Sequence, residues 1–231
     1  MEPNKSFDLY ESSLNETVPE NQPSVLLPPI TSFGLLNDPR QFTFRLSRHK
    51  FVCKMLSGAK RVLEIGCQDG FTSLFASRYL EEIVSVDFFP KHVEDAKKFM
   101  STYVKNVDFR LIDIVKSPVL NDDNVLFDAG FSLDVLEHID LSDEPYFFRN
   151  ILLSLSKKSI FIVGMPSLES QVYASKNSKL GHVNCKSGED FKKTCEKYFN
   201  YVLMFSMNDE VVHTGFFPMA HYLIAVCCDP K

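Results

Sequence analysis

The sequence of 231 residues lacks the features of several common protein classes. It has no apolar run of the roughly 18 residues that a membrane-spanning helix needs, and its first residues, MEPNKSFDLY, lack the basic and apolar regions of a secretory signal. Its formal net charge of −5 argues against affinity based mainly on nucleic-acid phosphates. Its six cysteines form no CxxC pair and no zinc-like spacing. We therefore expect a cytoplasmic protein with reduced thiols and no nucleic-acid or membrane partner.

Proline is concentrated at the beginning of the chain. Five of the twelve prolines lie within residues 1–38, a segment without a sustained apolar period. This composition predicts an extended or lid-like arm over residues 1–38. Residues 39–231 are then expected to form a single domain, large enough to bury a core without disulfides.

Short apolar strands alternate with helices after residue 60. Strands are predicted at 61–65, 82–87, 107–112, 126–133 and 158–164, and helices at 71–80, 90–103 and 142–155. This alternation is typical of a parallel sheet with right-handed crossovers. Segments 201–207 and 216–227 are close enough to pair as a hairpin, which brings in an antiparallel strand. We predict an α/β fold with a doubly wound, mostly parallel, seven-stranded Rossmann-like sheet and one antiparallel strand near the C-terminus.

Acidic residues mark the ends of the predicted strands. Glu64 precedes Gly66 at the end of the first strand, Asp87 ends the second, and Asp113 follows the third. Ligands of open parallel sheets bind outside the carboxyl ends of the strands. An acid at the end of the second strand can accept hydrogen bonds from both hydroxyls of a ribose, and the glycine-bearing turn allows close approach to a ligand. These positions predict a nucleoside ligand.

The first turn distinguishes between two nucleoside cofactors. Its sequence, GCQDG at 66–70, fails the GxGxxG pattern of nicotinamide cofactors, and Asp69 would repel a pyrophosphate. A dehydrogenase is therefore disfavoured. Glu64 suits a ligand with a cationic group. A nucleoside that carries an amino acid and a sulfonium meets these demands, which predicts S-adenosylmethionine as cofactor and S-adenosylhomocysteine as product.

Four segments in order resemble the motifs of class I S-adenosylmethionine-dependent methyltransferases. They are VLEIGCQDG at 62–70, VSVD at 84–87, the strand end at Asp113, and FSLDVLEHI at 131–139. The last is similar to the LEH stretch of the small-molecule branch of that family. One position departs from the pattern, since Gln68 stands where the family usually has glycine, and its side chain narrows the approach beside the methionine moiety.

The resemblance implies that a group of residues at the strand ends holds the cofactor. In this group, Asp87 binds the ribose hydroxyls, Asp113 the adenine amine, and Phe88 lies on the adenine face. The first turn lines the methionine end, and Leu133 offers backbone to the amino-acid group. The alternative interpretation is that the acids cap helices at strand-to-helix turns. The implied cofactor-binding residues are Glu64, Gly66, Cys67, Gly70, Asp87, Phe88, Asp113, Ile114 and Leu133.

Three histidines are candidates for the base that a hydroxyl acceptor needs. His138 follows the fourth strand beside the expected sulfonium. His182 lies in the insertion after the fifth strand, and His213 lies in an unusually polar turn near the C-terminus. We predict His182 and His213 as the main candidates for base or substrate clamp, with Asp209 or Glu210 orienting one of them.

The predicted acceptor is a small polar molecule, methylated at oxygen. Arg45 and Arg48 lie on a basic helix before the first strand, where a guanidinium can clamp a phosphate, phosphonate or carboxylate. The polar turn adds Asn208, Asp209 and Glu210 as expected substrate contacts. These residues favour an anionic acceptor, such as a phosphate, a phosphonate, a carboxylate or a sugar conjugate. A monomer or homodimer is expected.

Other functions remain open or are excluded. A metal-assisted O-methyltransferase would use Asp134, His182, Asp209 and His213 as ligands, but no compact ligand motif supports this site, and we expect no metal. A non-catalytic nucleotide-binding or scaffolding protein on the same fold would bind the cofactor without turnover. The nucleic-acid amino methyltransferases are excluded, because they carry a D/N-P-P-Y/F signature where this chain has LDVL at 133–136.

Overall fold

The computed structural model describes residues 5–18, 24–120 and 125–231. The α-helices are α1 (Lys5–Thr17), α2 (Pro29–Asn37), α3 (Pro39–Met55), α4 (Phe71–Ala76), α5 (Pro90–Met100), α6 (Glu144–Ser154), α7 (Lys176–Gly181) and α8 (Gly188–Glu196). Short 3-10 helices lie at Leu136–His138, Glu169–Tyr173 and Phe217–Met219. None of the helices in the described ranges is long and apolar enough to cross a membrane.

The strands form a single sheet that confirms the predicted fold class. They are β1 (Arg61–Ile65), β2 (Glu82–Asp87), β3 (Val107–Leu111), β4 (Phe127–Leu133), β5 (Leu155–Pro166), β6 (Phe199–Asn208), β7 (Val211–His213) and β8 (Tyr222–Pro230). Their order is β3-β2-β1-β4-β5-β8-β6-β7. The pairs among β1 to β5 are parallel, and β8 is inserted antiparallel to β5.

The described part of the sheet contains one strand more than the seven predicted. The additional strand, β7, has three residues and pairs antiparallel with the end of β6, where Ser206 faces His213. The polar turn predicted between the last two strands therefore begins with a tight hairpin. β7 lies at the edge of the sheet, beyond β6.

Both faces of the sheet are covered by helices. Consecutive strand residues point to opposite faces, so Val62 joins the apolar cluster that contains Val52 of α3, while Leu63 joins the cluster that contains Phe147 of α6. Strands buried on both faces read as continuous apolar runs rather than as an alternation. This explains why the short runs at 61–65 and 82–87 were sufficient to predict a parallel sheet.

The direction in which the chain winds reverses beside β1. From β1 the chain continues to β2 and β3 on one side, and then returns to β4 and β5 on the other. A crevice forms at such a reversal, outside the carboxyl ends of the strands. The turn after Ile65 and the turn after Leu133 therefore face each other across it.

The N-terminal segment contains helices where the sequence predicted an extended or lid-like arm. The described side chains of α1 are exposed to solvent, whereas α2 packs on α3. Thr31 of α2 is fully buried, and its amide and hydroxyl groups donate hydrogen bonds of 2.7 and 2.9 Å to the carboxylate of Asp69. Residues 1–4 and 19–23 of the predicted arm lie outside the described residues. The division into an arm at 1–38 and a domain at 39–231 stays a prediction.

Thr31→Val should weaken the contact of α2 with the first turn with little change in side-chain volume, while the backbone amide of residue 31 still donates to Asp69. The substitution removes one hydrogen bond to a buried carboxylate, worth about 1.5–3 kcal/mol, so hydrogen exchange in α2 should accelerate roughly 10–150-fold. Thr43→Val is the control, because the exposed Thr43 hydroxyl donates only to Pro39 in its own helix. Equal exchange in Thr31→Val and in the unchanged protein would contradict the anchoring role.

Candidate functional site

A cleft of about 1340 Å³ opens at the carboxyl ends of the parallel strands. Its wall includes the ends of β1, β2 and β4, the segment after β3, and residues of α3. Glu137 and His138 of the 3-10 helix Leu136–His138 and residues around α7 also line the cleft. The volume exceeds the roughly 300–1,000 Å³ of a typical small-molecule site. It is therefore large enough for a cofactor and an acceptor together.

The glycines of the first turn, residues 66–70, adopt the left-handed backbone conformation that favours glycine. Gly66 has φ +87°, and a Cβ atom there would overlap Val135 Cγ2 across the crevice. Gly70 has φ +78° and precedes α4. Gln68, the residue that departs from the family pattern, also adopts a left-handed conformation with φ +51°, which few residues other than glycine favour. Its side chain turns toward α3, where its Oε1 accepts a 3.0 Å hydrogen bond from Arg45.

Glu64 lines the cleft and is held by two serines. The hydroxyl groups of Ser73 and Ser85 each donate a 2.5 Å hydrogen bond to Glu64 Oε2. Burial raises the pKa of the Glu64 carboxyl, and the two hydrogen bonds oppose that shift. The serines fix the carboxylate beside the first turn, where it can face a cationic ligand group.

Asp87 lies at the edge of the cleft with its carboxylate oriented from three directions. Its Oδ2 accepts a 3.0 Å hydrogen bond from the amide of Gln68, and its Oδ1 accepts one of 2.9 Å from the amide of Phe89. The Nδ1 atom of His92, in α5, lies 3.2 Å from Oδ1. The side chain of Phe88 is 69% exposed and lines the cleft beside Asp87, which suits a ring that stacks on a ligand.

The remaining predicted cofactor residues divide into two groups. Asp113, Ile114 and Leu133 line the cleft. The Asp113 carboxylate also accepts a 3.1 Å hydrogen bond from the amide of Val115 and so stabilises its own turn, although no helix follows it in the described residues before β4, so Asp113 is not a helix cap. Cys67 does not line the cleft but belongs to the apolar cluster between α5 and β3.

A family model described as "Methyltransferase domain" matches residues 56–213, which include the first turn, Asp87 and the LEH stretch. The chain belongs to this methyltransferase family. The assignment confirms the enzyme class predicted from the motifs and S-adenosylmethionine as the cofactor of that class.

One curated protein and two solved structures illustrate what this methyltransferase domain is similar to. A ubiquinone biosynthesis O-methyltransferase of Pelagibacter ubique (strain HTCC1062) is 27% identical over 116 residues, which cover 49% of this chain and 46% of the relative. The chain thus matches less than half the length of this curated relative. The N-methyltransferase NodS of Bradyrhizobium japonicum WM9, solved with S-adenosyl-L-homocysteine, superposes with a TM-score of 0.63 at 15% identity over 95% of this chain and 98% of NodS. The methyltransferase domain of bacterial CtHen1-C superposes with a TM-score of 0.64 at 18% identity, covering 81% and 100% of the two chains.

The two arginines predicted to bind the acceptor line the cleft of the methyltransferase domain, where each contacts another residue. Arg48 Nη1 lies 2.8 Å from both carboxylate oxygens of Asp134, and the guanidinium carbon stands 3.7 Å from the ring centroid of Tyr222. Arg45 donates to the neutral side chain of Gln68. The charge of Arg48 is therefore balanced by Asp134, whereas the charge of Arg45 has no such balance in its hydrogen bond with Gln68.

His138 and His182 come together on the far side of the cleft. Their ring centroids are 5.1 Å apart. His138 Nδ1 donates a 2.9 Å hydrogen bond to the carbonyl oxygen of Gly181, and His182 Nδ1 lies 2.8 Å from Gln171 Oε1. Burial and the neighbouring His138 lower the pKa of His182, which favours the neutral imidazole. Of the three candidate histidines, only His138 and His182 line the described wall of the cleft.

His213 lies elsewhere, in the hairpin of β6 and β7. Its Nε2 atom lies 2.8 Å from Asn208 Oδ1, and its Nδ1 accepts a 2.9 Å hydrogen bond from the amide of Gly215. Asp209 and Glu210, at the tip of the same hairpin, line a smaller hollow of about 520 Å³ beside the beginning of α3. The structure therefore does not bring His213 and Asp209 together with His182 in the cleft, as the alternative metal site required.

Glu137 lies between the predicted site residues, although none of the roles predicted from the sequence includes it. Its side chain is 1% exposed and lines the cleft. Burial, followed by the negative charge of Asp134, raises its pKa well above the usual range of a carboxyl group. The signal was present in the LEH stretch, where an acid and a histidine are adjacent, but their relation to His182 depends on the tertiary structure.

Asp87→Asn should weaken the binding of S-adenosylhomocysteine about 10–100-fold, because an amide replaces a charged acceptor of hydrogen bonds from the ribose. Isothermal titration calorimetry measures this loss. Asp108→Asn is the matched control, since Asp108 is an exposed carboxylate of β3 that does not line the cleft. Undiminished affinity in Asp87→Asn would remove the ribose assignment, and binding of NAD in a parallel titration would argue against the methyltransferase cofactor.

Proposed function

We propose that this domain transfers the methyl group of S-adenosylmethionine to an oxygen atom of a small polar acceptor. The observation that carries the proposal is the His138–His182 pair, which shares one cleft with the strand ends expected to hold the cofactor. A hydroxyl acceptor must lose its proton during the transfer, and imidazole is the side chain suited to accept it near neutral pH. The Pelagibacter relative is named an O-methyltransferase, which supports oxygen as the acceptor atom.

The proposed reaction is an in-line displacement. A lone pair of the acceptor oxygen attacks the methyl carbon, the carbon–sulfur bond breaks, and its electron pair remains on sulfur as S-adenosylhomocysteine leaves. The hydroxyl proton passes to a ring nitrogen in the histidine pair. His182 is the better candidate, because its lowered pKa keeps the ring neutral. The domain contributes the alignment of the two reactants and the removal of water from the cleft.

We further propose that the acceptor carries an anionic group, as in a phosphate, a phosphonate, a carboxylate or a sugar conjugate. Arg45 is half-buried at the cleft wall, and its hydrogen-bonding partner Gln68 is neutral. Its positive charge can therefore pair with an anion of the acceptor. Arg48 is the weaker candidate for this contact, because Asp134 already balances its charge.

Variants at the two main candidate histidines distinguish between the cleft and the hairpin. We expect His182→Gln to lower turnover about 10²–10⁴-fold, the contribution of a general base, while the affinity for S-adenosylhomocysteine stays near normal. His213→Gln should retain turnover within a few-fold, since both ring nitrogens of His213 are bonded outside the cleft. Release of S-adenosylhomocysteine is measured with phosphorylated, carboxylated and glycosylated hydroxyl compounds as acceptors.

The reverse pattern, with turnover lost in His213→Gln alone, would move the base to the hairpin. Binding of S-adenosylmethionine without turnover on any acceptor would instead favour the non-catalytic alternative. Transfer to an amine in preference to a hydroxyl would contradict oxygen as the acceptor atom.

A further inference from the structure

Three potential metal ligands converge at the wall of the cleft. Glu137 offers a carboxylate oxygen, and His138 and His182 each offer a ring nitrogen. These three atoms lie within 4.8 Å of one another. A single ion can therefore contact all three after small side-chain adjustments.

One of these ligands lacks the partner that its burial requires. Glu137 is 1% exposed, and over residues 5–18, 24–120 and 125–231 its Oε2 atom has no hydrogen-bond partner. A buried carboxylate oxygen without a partner is costly. A bound cation would remove this cost, and the cleft leaves room for one beside the two imidazoles.

The two histidines are oriented as metal ligands usually are. His138 Nδ1 can only donate to the carbonyl oxygen of Gly181, so the lone pair of its neutral ring lies on Nε2. Gln171 holds His182 in the same way, because its Nε2 donates to Ser167 O at 3.1 Å and leaves Oε1 to accept from His182 Nδ1. In metal sites the second ring nitrogen of a histidine ligand is held by such an oxygen, which fixes the tautomer.

The backbone holds the segment of His182 against that of Glu137. The amides of Val183 and Asn184 donate to the carbonyl oxygen of Glu137, at 2.8 and 3.1 Å. The buried ion pair of Lys186 with Glu144, at 2.8 Å, fixes the same segment to α6. The ligands therefore come from two segments whose relative position is fixed before any ion binds.

We propose that Glu137, His138 and His182 bind a divalent transition-metal cation that also contacts the acceptor oxygen. Two imidazole nitrogens and one carboxylate form a ligand set used by catalytic zinc and by non-haem iron, which keep open positions for water or substrate. The protein supplies three ligands, so positions remain for an oxygen of the acceptor.

This inference rests on the proposed O-methylation, but it replaces the histidine base of that proposal with an acceptor oxygen activated by the cation. A cation bound to the acceptor oxygen acts as a Lewis acid and favours loss of the hydroxyl proton. The proton then leaves to water, and the oxygen lone pair attacks the methyl carbon with the same transfer of electrons to sulfur. His138 and His182 act as ligands in this form of the reaction. The cation also provides positive charge next to an anionic acceptor.

The proposal is tested by metal binding in the absence of acceptor and cofactor. The full chain is treated with EDTA, dialysed and titrated with Zn²⁺ by calorimetry and with Mn²⁺ by electron paramagnetic resonance. We expect one site per chain. Glu137→Gln and His182→Gln should weaken binding by more than roughly 100-fold, and Gln171→Ala by about 10–100-fold, because a residue that orients a ligand contributes less than the ligand itself.

Two further variants separate loss of the metal site from general effects of removing a histidine or of misfolding. His213→Gln removes a histidine outside the cleft and should leave the affinity for both ions unchanged. His138→Gln changes an exposed side chain and should fold normally, as judged by binding of S-adenosylhomocysteine, yet lose the metal site. Loss of metal binding with retained cofactor binding supports the assignment.

Failure to bind either ion at one site per chain would overturn the proposal, as would equal affinity in Glu137→Gln, His138→Gln and the unchanged protein. The titration contains no acceptor and involves no methyl transfer. Its outcome is therefore independent of whether oxygen is the methylated atom, so the two proposals can fail separately.

Discussion

The carboxylate of Asp87 joins three segments that meet around the cleft. It accepts hydrogen bonds from the first turn through Gln68, from the end of its own strand through Phe89, and lies within hydrogen-bonding distance of His92 in α5. A carboxylate that is 7% exposed needs such partners to stay in place. The contacts of Asp87 therefore fix the shape of the first turn and the beginning of α5. These two elements form the end of the cleft where the cofactor is expected.

A second charged contact connects the other wall of the cleft to the helix before the first strand. The ion pair of Arg48 Nη1 with both carboxylate oxygens of Asp134 links α3 to the end of β4, and the Arg48 side chain is 8% exposed. Removing Asp134 would leave the buried guanidinium of Arg48 without a compensating charge. Asp134 also has φ +57°, a conformation that is uncommon outside glycine. The pair therefore holds a strained turn next to Glu137 and His138.

The meeting of His138 and His182 depends on the segment inserted after β5. The strands of the sheet do not by themselves fix where this segment lies. The segment that carries His182 follows β5 and returns to the 3-10 helix Leu136–His138, where its amides bond to the Glu137 carbonyl. The hairpin that carries His213 follows a different route, because β8 is inserted between β5 and β6 and moves the hairpin to the edge of the sheet. His182 and His213 thus reach different places.

The sequence by itself determined the alternation of strands and helices, the acids at the strand ends and the membership in a methyltransferase family. These are local properties, because strand periodicity and the residue that ends a strand depend only on residues that are close together in the sequence. The partner of Arg48, the helical form of residues 29–37, the isolation of Glu137 Oε2 within the described ranges and the meeting of His138 with His182 were decided only by the tertiary structure. Each depends on residues distant in the chain, whose contact is set by how insertions and helices pack on the sheet rather than by any pattern along the sequence.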